Sequence, residues 1–194
     1  MIGVSMEITE VTRRDILDYL LMRKVPFHGR LDLISFLKRV WDLSSMPSTD
    51  GRFADAERDI WQHMVNNDDW ENEYLLTKRL NLLRCDDDTF LVFLQQTLHP
   101  LVLNDKRVLE ASIKEYNSKL LADGYSYEVD SYISGKPVYK AKKLTAKTSN
   151  QQAYEVVLSF ASEDRAYVEK VAAFLVNHQV SVFYDRYEEV TLWG

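Results

Sequence analysis

The chain has 194 residues, 46% of them hydrophobic and 28% charged, the composition of an ordinary globular protein long enough to bury a core in one or two domains. A formal net charge of −6 argues against a wholesale electrostatic grip on nucleic acid, and the single cysteine, Cys85, excludes an intrachain disulfide and a cysteine-based zinc site. No apolar run reaches the roughly 18–20 residues of a membrane span, and the first ten residues lack a basic stretch followed by an apolar one, so the expected location is the cytoplasm, without a membrane partner.

Helical periodicity dominates the first three quarters of the chain. Thr12 followed by Asp15 resembles a capping box, after which Ile16, Leu17, Leu20 and Leu21 form an apolar stripe that should stop near Pro26. A second helix is expected from about Leu31, with Leu33, Ile34, Leu37, Val40 and Trp41 on one side, fading into the loop SSMPSTDG at 44–51. Phe53, Ala56, Ile60 and Met64 mark a third helix, and Tyr74, Leu75, Leu82 and Leu83 a fourth. Phe90, Leu91, Leu94 and Leu98 mark a fifth, entered through the acids Asp86, Asp87 and Asp88 and ended at His99 and Pro100. Val108, Leu109, Ile113, Tyr116 and Leu120 mark a sixth, which Gly124 closes. The expected result is a compact helical domain.

After Gly124 the period changes from helical to alternating. Tyr125, Tyr127 and Val129 alternate with Ser126, Glu128 and Asp130; SGKP at 134–137 makes a turn, and Val138, Tyr139 and Ala141 resume an extended run. This is a β-hairpin, and helices followed by a hairpin give a winged-helix-like layout, a likeness of architecture alone. Together with the helices before it, the phrase LLADGYSYEVDSYISGKPVYKAKKL at 120–144 is similar to N-terminal domains of the AbiJ type from bacterial abortive-infection proteins. That resemblance implies a recognition or regulatory module placed ahead of an effector. Residues 144–152, LTAKTSNQQ, are polar and aperiodic and read as a linker between a domain at 1–143 and one at 153–194.

The last segment points at chemistry. Val156, Val157, Leu158 and Phe160 form a short β-branched run, a buried parallel strand. Ser162 is a plausible N-cap before a helix carrying Tyr167, Val168, Val171, Ala172 and Leu175, and Val180, Val182 and Phe183 form a second strand ending at Tyr184 and Asp185. Strand, helix and strand make a βαβ unit. The segments VVLSFASED, VFYD and LWG resemble the opening of a TIR (Toll/interleukin-1 receptor) domain of the bacterial type. Ser159, Phe160, Ala161, Ser162, Glu163 and Asp164 match the end of its first strand, Tyr184 and Asp185 the end of its second, and RYEEVTLWG at 186–194 the start of its BB loop. The overall expectation is therefore a mixed α and α/β chain, a helical domain followed by the first βαβ unit of a flavodoxin-like parallel sheet.

In complete TIR domains of this type the resemblance implies cleavage of the nicotinamide–ribose bond of NAD+ by a glutamate on a later helix, with self-association and in the service of antiviral defence. No residue here matches that glutamate, and Glu188 and Glu189 lie in the loop segment. This chain is thus expected not to turn over NAD+ itself, and NAD+ enters as a substrate of the complete domain, with no cofactor or metal. The same resemblance places Phe160, Ala161, Ser162, Tyr184, Asp185 and Trp193 along the substrate, beyond the carboxyl ends of the strands. Each has a plainer reading beside that one: Ser162 as an N-cap, Asp185 as a turn former, Trp193 as a loop anchor, Phe160 and Tyr184 as core aromatics.

Elsewhere the signals are weak. His28, His63, His99 and His178 lack metal-ligand spacing, and none shows a carboxylate or cysteine partner at a recognisable offset. Cys85 reads as a buried structural thiol. Lys136, Lys140, Lys142, Lys143 and Lys147, interleaved with Tyr132 and Tyr139, form either a solvated hairpin face or a nucleic-acid contact. Two functions from different classes remain open: a defence effector consuming NAD+, and a binding module in which the helical domain recognises nucleic acid or protein and the TIR-like part serves as a scaffold.

Overall fold

The computed structural model describes residues 8–144, 156–158, 164–178, 180 and 182–183. The chain divides into two compact units, Met1–Leu144 and Thr145–Gly194. Of the expected linker only Leu144 lies among the described residues.

In the first unit, helix α1 spans Glu10–Met22 and starts earlier than its sequence suggests. The capping oxygen belongs to Thr9, which accepts from the Thr12 amide at 3.2 Å; Thr12 supplies the capped N–H and is buried within the first turn. Ile16, Leu17 and Leu20 face the core, as their spacing requires. Helix α2, Leu33–Leu37, is a single capped turn beginning at Asp32. Val40 and Trp41 still pack on the core, but from the turns after that helix.

Helix α3, Ala56–Trp61, runs on as a π turn over Gln62–Asn66; helix α4, Asn72–Tyr74, runs on as another over Leu75–Arg79. In each the exit amide reaches back five residues, Asn67 to the Gln62 carbonyl at 2.8 Å and Leu80 to the Leu75 carbonyl at 2.9 Å. One extra residue per turn shifts the apolar phase, so Leu75, Leu76, Leu80 and Leu82 are buried while Tyr74 is exposed.

Helix α5, Asp87–Leu98, follows its acidic entrance as expected: Asp86 Oδ1 accepts from the Thr89 amide at 2.7 Å. Its Phe93 sits among Phe27, Phe36 and Trp41, with ring centroids 5.9–6.1 Å away, the aromatic centre of the core. The segment after α5 closes on the loop before α2, where Gly29 has φ +56° and a Cβ would stand 2.1 Å from the Val102 carbonyl oxygen. Only glycine meets both demands.

Helix α6, Lys106–Leu120, ends in a 3-10 turn, Leu121–Asp123, and Gly124 terminates it at φ +78°. Strands β1, Tyr125–Ile133, and β2, Lys136–Lys143, pair antiparallel around Ser134 and Gly135, both at positive φ as a tight primed turn requires. A bulge between Val129 and Ser131 resets the alternation. Tyr127 is buried, while Val129, Tyr132 and Ile133 face solvent, which the strict alternation in the sequence did not anticipate. Asn117 holds the hairpin on α6 by accepting from the Tyr127 amide at 2.7 Å and donating to its carbonyl at 3.1 Å.

Two buried phenols give this unit an alkaline limit. The Tyr116 hydroxyl lies 2.8 Å from Thr97 Oγ1, and the Tyr127 hydroxyl donates to the Leu91 carbonyl at 2.5 Å. Burial pushes Tyr116 from its ordinary value near 10 up to about 12 and raises Tyr127 as well. Below pH 10 folded and unfolded chains keep these protons alike. Above it the unfolded chain ionises first, so stability should fall between pH 10 and 12. Urea midpoints measured across that range should decline, and Tyr116→Phe should flatten the decline.

In the second unit, strands β3, Val156–Val157, and β4, Val182–Phe183, pair in parallel, Val156 with Val182 and Val157 with Phe183. Helix α7, Arg165–Asn177, lies between them in sequence and buries Val168 and Ala172 against Val156, Leu158, Leu175 and Val180. The described chain is thus a mixed α/β structure, mostly helical, with an antiparallel hairpin at the end of its first unit.

Candidate functional site

Phe160, Ala161, Ser162, Tyr184, Asp185 and Trp193 all lie outside the described residues. The basic hairpin is partly neutralised. Lys142 Nζ meets Glu128 Oε2 at 2.8 Å, Lys136 is held by the side-chain oxygen of Asn104, and Glu128 stands directly across from Lys140 in the strand register. Lys147 lies outside the described residues. Each lysine paired with a carboxylate in this way leaves one counterion fewer to release on binding nucleic acid. Cys85 is half-buried; burial raises its pKa, and it receives Arg13 Nη1 at 3.3 Å, a structural thiol rather than a nucleophile.

The densest convergence of titratable groups surrounds His63, in the π turn after α3, and the sequence reading missed it. Asp59, one helical turn before, is fully buried. Its Oδ2 accepts from the Thr49 amide at 2.9 Å, Thr49 Oγ1 at 2.8 Å and Arg79 Nε at 3.2 Å. Arg79 in turn donates Nη2 to the Pro47 carbonyl at 2.7 Å. The His63 ring stacks on Trp70, centroids 4.4 Å apart and planes 4° from parallel, and meets Phe53 edge-on. Its Nδ1 lies 2.7 Å from Asp69 Oδ1; its Nε2 lies 3.6 Å from Asp50 Oδ2 and 3.8 Å from Asp59 Oδ1.

That last distance is within ion-pair reach but too long for a hydrogen bond, and Asp59 Oδ1 has no hydrogen-bond partner. The Asp50 carboxyl is held well below its usual range, chiefly by hydrogen bonds from the Arg52 side chain and amide. The Asp69 carboxyl is lowered first by its bond to His63. The cluster therefore joins four pieces of chain: the 47–52 loop, the inner side of α3, the loop carrying Asp69 and Trp70, and the π turn ending at Arg79.

Its chemistry is that of a clamp. Nε2 faces two carboxylates, which repel an anionic substrate, and among the described residues no group of His, Cys, Asp and Glu could hold a metal ion. The expectation that no histidine had a carboxylate at a useful offset is thus corrected for His63. Asp59 at i−4 was the one local trace, while Asp50, Asp69 and Arg79 arrive from separate loops and turns.

Comparison with known proteins adds three findings. The model of a family described as AbiJ N-terminal domain 3 matches residues 7–141. A protein named 3' cyclic ADP-D-ribose synthase AaTIR, from Aquimarina amphilecti, is 61% identical over 41 residues, which are 21% of this chain and 12% of that protein. No solved structure matches.

Proposed function

With residues 7–141 matched, this chain belongs to the AbiJ N-terminal domain 3 family, and on that footing we propose that it serves abortive-infection defence, its helical unit acting as the recognition and regulatory half of a TIR-linked system that consumes NAD+. The family match carries this reading. The 41 residues shared with a cyclic ADP-ribose synthase named for its TIR domain favour NAD+ as the substrate of the linked effector. Because the chain spans 12% of that relative's length, catalysis, self-association and the identity of the product belong to the proposal.

In this reading α7 with β3 and β4 opens a flavodoxin-like sheet, and Phe160, Ala161, Ser162, Tyr184, Asp185 and Trp193 border the nucleotide. The clamp around His63 fixes the helical unit's shape.

The test is phage challenge of bacterial cells expressing the reading frame that encodes this chain. Plating efficiency should fall relative to cells without it, and should recover when the clamp is broken by Asp59→Ala. Equal plating in all three would remove the defence reading.

A further inference from the structure

The outer side of α3 and its π turn borders a cavity of about 540 Å³ with a mainly apolar lining. Glu57, Arg58, Trp61, Gln62 and Val65 recur there at the spacing of one helical face, and Phe53 with the first turn of α2 completes the lining. Asp59 and His63 project from a different side of the same helix into the clamp, so this wall is anchored from behind before anything binds. Trp61 and Val65 remain 47% and 52% exposed. A short surface helix ordinarily presents charge outward, whereas this one presents an indole and a valine beside a concavity. The volume falls within the roughly 300–1,000 Å³ typical of small-molecule sites.

Charge narrows the ligand. Glu57 pairs with Lys38 at 2.6 Å, Arg58 lies 3.9 Å from Asp55, and Asp32 Oδ1 accepts from the Ser35 amide at 2.8 Å. The rim therefore carries no surplus of positive charge to hold a phosphate: among the described residues its one cation, Arg58, faces Asp55, and the Asp32 carboxylate adds negative charge. Asp32 and Gln62 nevertheless bring carboxylate and amide oxygens to the lining, acceptors suited to amino and hydroxyl groups.

We propose that this cavity binds an uncharged, flat heteroaromatic ligand of nucleoside size, its ring stacked on Trp61. The site stands on the geometry of the helical unit alone and does not depend on NAD+ consumption by a linked domain.

Titration calorimetry with adenosine as the probe tests it. The full chain should bind one equivalent with a Kd below about 1 mM. Trp61→Ala should weaken binding by about tenfold or more, the loss expected of one aromatic stack. Val65→Lys, at an exposed position that leaves the core untouched, should weaken it similarly and keeps the test sound if Trp61→Ala fails to fold. ADP should bind no more tightly than adenosine. Absence of saturable adenosine binding, affinity unchanged in Val65→Lys, or tighter binding of ADP would each overturn the assignment.

Discussion

Replacing Arg13 by alanine should cost the helical unit about 3–5 kcal/mol, the range seen when one partner of a buried ion pair is removed. Arg13 is fully buried, and every part of its guanidinium is engaged. Nε donates to the Ile8 carbonyl at 3.2 Å, Nη1 to the Leu82 carbonyl at 3.0 Å and to Cys85 Sγ at 3.3 Å, and Nη2 to Asp87 Oδ1 at 2.5 Å. The group also lies 4.7 Å from the Phe90 ring centroid. One side chain thus ties the segment before α1 to the turn after α4 and to the start of α5.

Its removal takes the guanidinium away from a largely buried carboxylate and from two carbonyls, so the cost is loss of charge compensation and of hydrogen bonds in a water-poor site. Arg13→Lys should recover little, because a point charge cannot serve partners in several directions at once. The neighbouring Arg14 pairs with Glu73 at 2.9 Å between two exposed side chains, and Arg14→Ala should cost less than about 1 kcal/mol. Urea denaturation of the three variants separates these cases. An Arg13→Ala loss as small as that of Arg14→Ala would mean that the guanidinium is not the tie described.

Asp59→Ala should be comparably severe, about 3 kcal/mol or more, because it leaves the nearly buried Arg79 without its carboxylate and Thr49 without the acceptor for its amide and hydroxyl. Asp59→Asn keeps an acceptor for Thr49 but not the charge facing Arg79, and should cost about 1.5–3 kcal/mol, the worth of a hydrogen bond to a charged group. The loss should be local as well as global. Proteolysis should open the 47–52 loop of Asp59→Ala before the α5–α6 region, since the clamp is what fixes that loop on α3. A variant with wild-type denaturation and wild-type cleavage would show that the cluster contributes no rigidity.

Much of the scaffold was legible because it obeys local rules. The acids before α5 and the glycine after α6 are capping signals whose physics is contained within a few residues, and both operate as read. The stretch 125–143 announced a hairpin through its alternation and its Ser-Gly turn. The bulge at Asp130 did not show, since an extra residue in one strand changes no residue type. The π turns were hidden for a related reason: one added residue per turn looks like noise in a pattern assumed to repeat every 3.6. A lone Thr-x-x-Asp also misplaced the start of α1, since Thr9 and Thr12 are equivalent by type and only the packing of Ile8 and Arg13 decides between them.

Sites divide the same way. The parallel pairing of Val156 with Val182 agrees with the β-branched runs that suggested it, whereas the residues proposed to border the nucleotide rest on resemblance. The clamp was invisible because Asp50, Asp69 and Arg79 acquire meaning only when three loops and turns meet. Trp61 carried no signal either: an aromatic residue at helical spacing reads as core until burial shows otherwise.

The most direct check is the NAD+ concentration in cells expressing this chain together with the TIR effector it is proposed to regulate, followed through phage infection. The account predicts that NAD+ holds steady before infection and collapses after it, and that Asp59→Ala cells keep their NAD+ throughout. NAD+ unchanged by infection, or a collapse indifferent to the helical unit's integrity, would contradict it.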